Sequence, residues 1–226
     1  MKIESEIFKR CTILYDRLIP YGFKKNNNRY ILTKTILDDS FRVEIEITNG
    51  KVNGKIYDVQ FEEEYVNYRI EEVTGEFVHK VRDEFEKILL DIRTHCTIST
   101  YFETDQANRI AKYIFEQYHD KPEFLWKKYP GYGVFKNAKS NKWYGLIANI
   151  CKSKINGNDE REVEILNVKV QDVSSLLCKE GFYQAYHMNK ENWVTIILDD
   201  TISDEEIIRY IQESYQFTEK KKSMDK

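Results

Sequence analysis

A chain of 226 residues, 41% hydrophobic and 14% aromatic, suits one large domain or two of roughly 100 residues each, with enough apolar material for a core. Charged residues reach 32%, which places it among soluble globular chains and apart from disordered ones. A net charge of −3 argues against a strongly basic nucleic-acid binder, although binding follows local charge as well as the total, and the lack of an apolar run of about 18 residues argues against a transmembrane helix.

The N-terminal stretch "MKIESEIFKRC" mixes acids and bases, unlike a secretory signal, so the cytoplasm is the expected compartment. Ile3, Ile7, Cys11, Leu14 and Leu18 recur at helical spacing and predict one helix, ended by Pro20 and Gly22. The period then changes to two. In "FRVEIEI", Phe41, Val43, Ile45 and Ile47 alternate with Arg42, Glu44 and Glu46, which predicts a half-exposed antiparallel strand. Asn49-Gly50 and Asn53-Gly54 are turn signals, so a hairpin to "KIYDVQF" follows, and "YVNYRI" is a candidate further strand. A helix over 74–95 carries the stripe Phe77, Val81, Phe85, Ile88 and Ile92. The first domain is therefore expected over 1–97, as helix, antiparallel sheet, helix.

After a join at "CTISTYFETD", Thr104 or Asp105 caps a helix whose apolar face is Ala107, Ile110, Ala111, Ile114, Phe115 and Tyr118, stopped at Pro122. "YGVFKNAKSNKWYGLIANIC" reads as a hairpin turning at "NAKSNK", and "VEILNVKV" as the next strand. Asp172 opens a short helix closed by Gly181. "FYQAY" and "WVTIIL" are two more strands. Ser203 and Glu206 fit a capping box for a last helix that buries Ile207, Ile208, Ile211 and Tyr215. The second domain is expected over 103–218, with a polar tail at 219–226. The fold class is α+β, two helix–antiparallel sheet–helix units in tandem.

Enzymatic signatures are missing: there is no GxSxG elbow, no Walker-type GxxxxGK and no GxGxxG opening a helix. The cysteines, Cys11, Cys96, Cys151 and Cys178, form no CxxC pair and are expected to be mostly buried thiols. The histidines have no metal-ligand spacing, so neither a metal nor a cofactor is expected. The segment 121–154 stands out. Lys121, Lys127, Lys128, Lys136, Lys139, Lys142, Lys152 and Lys154 face a single acid, Glu123, for a local charge of +7. Phe124, Trp126, Tyr129, Tyr132, Phe135, Trp143 and Tyr144 interleave with them. Lysines neutralise phosphates and exposed aromatics stack on bases, though core packing and a solvated hairpin give the same pattern. "YHMNKENW" at 186–193 then sets His187, Asn189 and Lys190 in a loop between strands, with Trp193 opening the second. Trp193 suits a core anchor, and the polar residues suit either turn bonding or a donor-rich surface.

The stretch "FYQAYHMNKENWVTIILDDTISDEEIIRYIQESYQF" resembles the C-terminal signature of the MmcQ/YjbR family of small bacterial proteins. The shared pattern is a His-Met-Asn-Lys-x-x-Trp core, here His187, Met188, Asn189, Lys190 and Trp193, then a strand ending in an acidic turn at Asp199-Asp200. A helix with a Ser-Tyr pair, Ser214-Tyr215, follows. Upstream, "NKWYGLIANI" resembles the family's central hairpin strand, and Asn167 and Lys169 match its Leu-Asn-x-Lys element. The resemblance spans about 105–217 and leaves the first domain as an accessory unit. It implies an α/β sandwich on an antiparallel sheet and a DNA-binding, non-enzymatic role, with double-stranded DNA expected ahead of RNA. One departure is the insert "INGNDERE", which adds acids between strands.

On this reading Lys127, Lys128, Lys136, Lys139 and Lys142 contact phosphates, and Asn167, Lys169, His187, Asn189 and Lys190 form a second polar patch. The alternative is a protein-interaction adaptor or a chaperone-like module that binds extended peptides, with a protein as partner. A third reading, His187 as a catalytic base, has no second catalytic group at a recognisable spacing.

Overall fold

Residues 3–219 are described in the computed structural model. The chain divides between Thr100 and Tyr101 into two compact units. The first contains α1 (Ile3–Ile7), β1 (Cys11–Ile13), α2 (Tyr15–Tyr21), β2 (Lys24–Asn26), β3 (Arg29–Ile36), β4 (Phe41–Thr48), β5 (Lys51–Asp58) and β6 (Glu63–Glu64). A 3-10 turn at Val66–Arg69, α3 (Glu76–Cys96) and β7 (Thr97–Ser99) complete it. Strands β2-β3-β4-β5-β6 form an antiparallel sheet in that order, and β1 pairs with β7 in a separate two-stranded sheet.

The alternation in β4 is realised: Phe41, Val43, Ile45 and Ile47 are buried while Arg42, Glu44, Glu46 and Thr48 lie half out. Val81, Phe85, Leu89 and Ile92 of α3 join them in one core. Gly54 lets α3 approach, since a Cβ there would stand 2.4 Å from the Phe85 ring. Next to it Glu4 is buried. Its carboxylate accepts from Gly54 N–H (2.8 Å) and from the Arg69 guanidinium (2.8 Å), which also donates to the Gly54 carbonyl. A buried carboxylate is tolerated only with such partners.

Several local expectations change in this unit. The single N-terminal helix is two short helices with β1 between them. Arg10 adopts a left-handed φ of 51°, and Cys11–Ile13 pairs with Thr97–Ser99. A partner more than 80 positions away leaves no trace in local periodicity. "YVNYRI" is a 3-10 turn that buries Tyr68, and Asn53-Gly54 lies inside β5 while Asn49-Gly50 makes the turn. Strands β2 and β3 fill a stretch to which the sequence assigns no element. On the inward side of β3, Lys34 interrupts Tyr30, Leu32 and Ile36, which blurs the alternation. Phe77, expected in the α3 stripe, is exposed; Val78 is buried instead.

The second unit contains α4 (Asp105–Tyr118), β8 (Glu123–Phe124), β9 (Gly133–Lys136), β10 (Trp143–Cys151), a 3-10 turn at Lys152–Lys154 and β11 (Glu162–Lys169). Then come α5 (Val173–Leu177), β12 (Phe182–Gln184), β13 (Trp193–Ile197) and α6 (Asp204–Glu219). The sheet is antiparallel with order β12-β13-β11-β10-β9-β8. Ile110 and Ile114 of α4 and Ile207 and Ile211 of α6 cover one face, against Tyr144, Leu166, Val168, Val194 and Ile196.

The N-caps are those expected, whereas α5 ends at its C-cap Cys178, three residues before the Gly181 expected to close it. Thr104 Oγ1 accepts from Ala107 N–H, Asp172 from Ser175 N–H, and Ser203 Oγ from Glu206 N–H. α4 ends at His119 in the left-handed region, ahead of Pro122. All four cysteines are free, but only Cys96 is buried and Cys178 is exposed. The expected tail lies, after Glu219, outside the described residues. Among the described residues no helix is long and apolar enough to cross a membrane.

Candidate nucleic-acid interface

Strand register decides which residues of the second unit meet. β9 ends at Lys136, opposite Trp143 at the start of β10. β11 runs back and ends at Lys169, opposite Trp193 at the start of β13. β12 ends at Gln184, opposite Val194. The turn 137–142, the end of β11 and the loop 185–192 therefore share one end of the sheet. That end carries Lys139, Lys142, Lys169 and Lys190.

Asn137 builds the turn. Buried, it accepts with Oδ1 from the N–H groups of Lys139 and Ser140 and donates through Nδ2 to Thr218 Oγ1 of α6 (2.9 Å). Lys139 and Lys142 are left exposed on a pinned hairpin. Lys169 is half-buried, with Nζ 5.2 Å from the centre of the Trp193 ring and its N–H donated to Ser214 Oγ (3.0 Å). Burial, and then the charge of Lys142, push the Lys169 ammonium below its ordinary pKa.

The loop 185–192 is braced from below. Asn167 is fully buried. Its Nδ2 donates to the Tyr186 carbonyl (3.2 Å), and its Oδ1 accepts from the Thr195 hydroxyl (2.6 Å), which itself accepts from Tyr186 N–H (2.9 Å). Asn167 is thus an internal brace and is not placed on the surface patch proposed for it. Asn189 turns the chain: its Oδ1 accepts from Glu191 N–H and its carbonyl from Trp193 N–H (3.0 Å). His187 sits in the left-handed region, exposed, with its ring 4.2 Å from that of Tyr186. Lys190 is exposed and Trp193 buried.

The sheet face away from α4 and α6 has its own small core. Ala148, Ile150, Ile165 and Ile197 are covered there by Tyr132, Tyr183, Tyr186, Ile155 and Val163, with no helical residue among them. The loop 125–132 supplies part of this cover. The Trp126 ring meets Trp143 (5.8 Å) and Tyr132 (6.1 Å), and Tyr129 stacks on Tyr132 at 4.8 Å and 20°. Tyr132 lies beside Tyr186 in this cover; burial, and then the neighbouring Tyr186 hydroxyl, raise its pKa. Lys127 and Lys128 follow Trp126 and are exposed, Lys128 Nζ lying 5.5 Å from the Tyr129 ring centre.

Lys136 closes β9 at this same end of the sheet, but its charge is spent locally. It pairs with Glu123 of the neighbouring strand (2.6 Å), with 17% of its side chain exposed. Among the described residues no group of three or more His, Cys, Asp and Glu side chains could hold a metal ion. In the acidic insert, Asp159 is paired with Arg161 and Lys152, so its charge is partly spent locally.

The uncharacterized protein YyaQ of Bacillus subtilis (strain 168) is 36% identical to this chain over 111 residues, 48% of this chain and 94% of the relative. The YjbR family model matches residues 115–217, within the second unit. The chain belongs to the YjbR family. A crystal structure of a Pseudomonas syringae protein is 39% identical over 49% of this chain and 96% of its own, with a TM-score of 0.47. A Deinococcus radiodurans protein is 22% identical over 54% of this chain and 81% of its own, with a TM-score of 0.38.

Within the YjbR unit, sequence reading found the lysines and the octet, named Ser214 only as part of the family signature, and gave no role to Asn137 or Thr195. The Asn that opens "NAKSNK" is a turn signal that could have been read. Thr195 and Ser214 become buried braces only through partners 28 and 45 positions away, and no local pattern announces those.

Proposed function

We propose that the YjbR unit binds nucleic acid through its phosphates and acts without catalysing a reaction. The observation that carries this reading is the convergence of Lys139, Lys142, Lys169 and Lys190 on one end of the sheet. Lys169 is held there half-buried beside a like charge, an arrangement that an anion would relieve. Lys127 and Lys128 extend the cationic surface. His187 is an exposed ring packed on Tyr186, which suits a contact surface better than a base poised in a pocket.

The test is fluorescence anisotropy of a labelled duplex at about 50 and 200 mM salt. Binding that weakens steeply with salt, and is lost in a Lys139→Glu/Lys142→Glu/Lys190→Glu variant of unchanged circular dichroism, supports the reading. Undiminished binding by that variant removes this end of the sheet from the interface.

A second reading, a peptide-binding adaptor, is favoured by one feature. Phe124 and Leu125 are exposed at the outermost strand β8, with the exposed Tyr101 ring 6.4 Å from Phe124. An open strand edge with apolar side chains can accept an added strand. Repeated capture of one protein without nucleic acid, abolished by Phe124→Asp, would select this reading instead.

A further inference from the structure

We infer that the aromatic face beside the lysines takes single-stranded nucleic acid in preference to duplex, with bases stacking at Tyr129 and Trp126. The inference rests on the nucleic-acid reading above and specifies the form of its ligand. A duplex hides the π-faces of its bases and is read by an element entering a groove. In this unit α4 and α6 are packed in the core on the opposite sheet face and have their apolar sides committed. What adjoins the lysine cluster is a layer of rings. Trp126 and Trp143 are half-buried edge to face, and Tyr129 is 44% exposed with one side stacked on Tyr132.

The layer is rigid from beneath. Tyr132 and Tyr186 pack on the same small core, and Tyr186 is held through both its N–H and its carbonyl by Thr195 and the buried Asn167. Tyr129 is thus the outer ring of a stack already assembled, with the Lys128 ammonium close by. A single strand offers the complement to this surface: unpaired bases for the rings and a flexible backbone whose phosphates can follow Lys128, Lys139 and Lys190. Aromatic platforms beside a cationic track are the usual means of holding single strands.

The experiment uses the full chain with two probes, a labelled oligo(dT) of about 20 nucleotides and a mixed-sequence duplex of the same length. Anisotropy and intrinsic tryptophan fluorescence are both recorded. The expected result is at least about tenfold tighter binding of oligo(dT), with quenching of tryptophan emission as bases stack. Tyr129→Ala lowers oligo(dT) affinity about tenfold, Tyr129→Phe restores it, and duplex affinity changes less than about twofold in both. Duplex bound as tightly as oligo(dT), with Tyr129→Ala without effect, overturns this inference and leaves the phosphate-binding reading standing. Binding of neither probe at low salt overturns both.

Discussion

Asn167 and Glu4 are polar residues whose role is set by what they bond. Asn167 joins β11 to β13 and to the loop that carries His187 and Lys190. Asn167→Ala leaves the Thr195 hydroxyl and the Tyr186 carbonyl short of partners and is expected to cost roughly 1–3 kcal/mol in urea unfolding. Glu4 is the stronger case, with 2% of its side chain exposed and Arg69 26% exposed. Burial alone would raise its pKa, but bonds from Arg69 and Gly54 outweigh that and hold it below its ordinary 4.5. A carboxylate lowered in the fold contributes stability above its unfolded pKa and loses it as pH falls through the folded value. Arg69→Met leaves the charge unpaired and is expected to cost slightly less than the roughly 3–5 kcal/mol of breaking a fully buried pair, because Arg69 is partly in water. The gap between this variant and the parent, measured by denaturation across pH, should be widest near neutrality and narrow as pH falls through the parent's lowered Glu4 pKa, below which both carry a protonated Glu4. A gap that stays constant with pH would show that Glu4 is not the group lost.

At the scale of elements, helices with a full apolar stripe and a capping side chain were legible. α4, α5 and α6 begin where Thr104, Asp172 and Ser203 say they should. Strands with clean alternation were legible too, as in β4. Elements made by distant partners were not: β1 exists because β7 pairs with it, and β3 because β4 does. The candidate site divides the same way. Composition marked the lysines, while the register that brings the turn 137–142 beside the loop 185–192 depends on β11 and β13 lying between them. The entry to α4 shows a long-range tie reinforcing a local signal. The buried Glu164 of β11 accepts from the N–H groups of Glu103 and Thr104 and from the Thr104 hydroxyl, which in turn caps the helix. Glu164→Leu fills the same space with no acceptor and strands these donors. It is expected to cost about 3 kcal/mol, read as a lower denaturation midpoint. An unchanged midpoint would mean that water or neighbouring groups replace the carboxylate.

The molecule has two principal cores that share no residue. One is built by α3 on the β2–β6 sheet, the other by α4 and α6 on the β8–β13 sheet. The YjbR family match lies within the second. Each core encloses enough apolar surface for a cooperative transition of its own, so calorimetry of the full chain is expected to resolve two. Gly54 and Glu164 allow the assignment. Gly54→Ala drives a methyl group into the Phe85 ring and, at about 1–3 kcal/mol for an overpacked site, lowers only the transition of the first unit, by about 4–8 °C per kcal/mol in a domain of this size. Glu164→Leu lowers only the other. If each substitution shifts both transitions, the units unfold as one body and the YjbR unit depends on its N-terminal companion. If they move independently, any effect of Lys139→Glu and Lys190→Glu on the proposed nucleic-acid binding belongs to the YjbR unit. Gly54→Ala, measured below its transition, then leaves that binding unchanged. This would locate the interface in the unit whose sheet end carries the lysines.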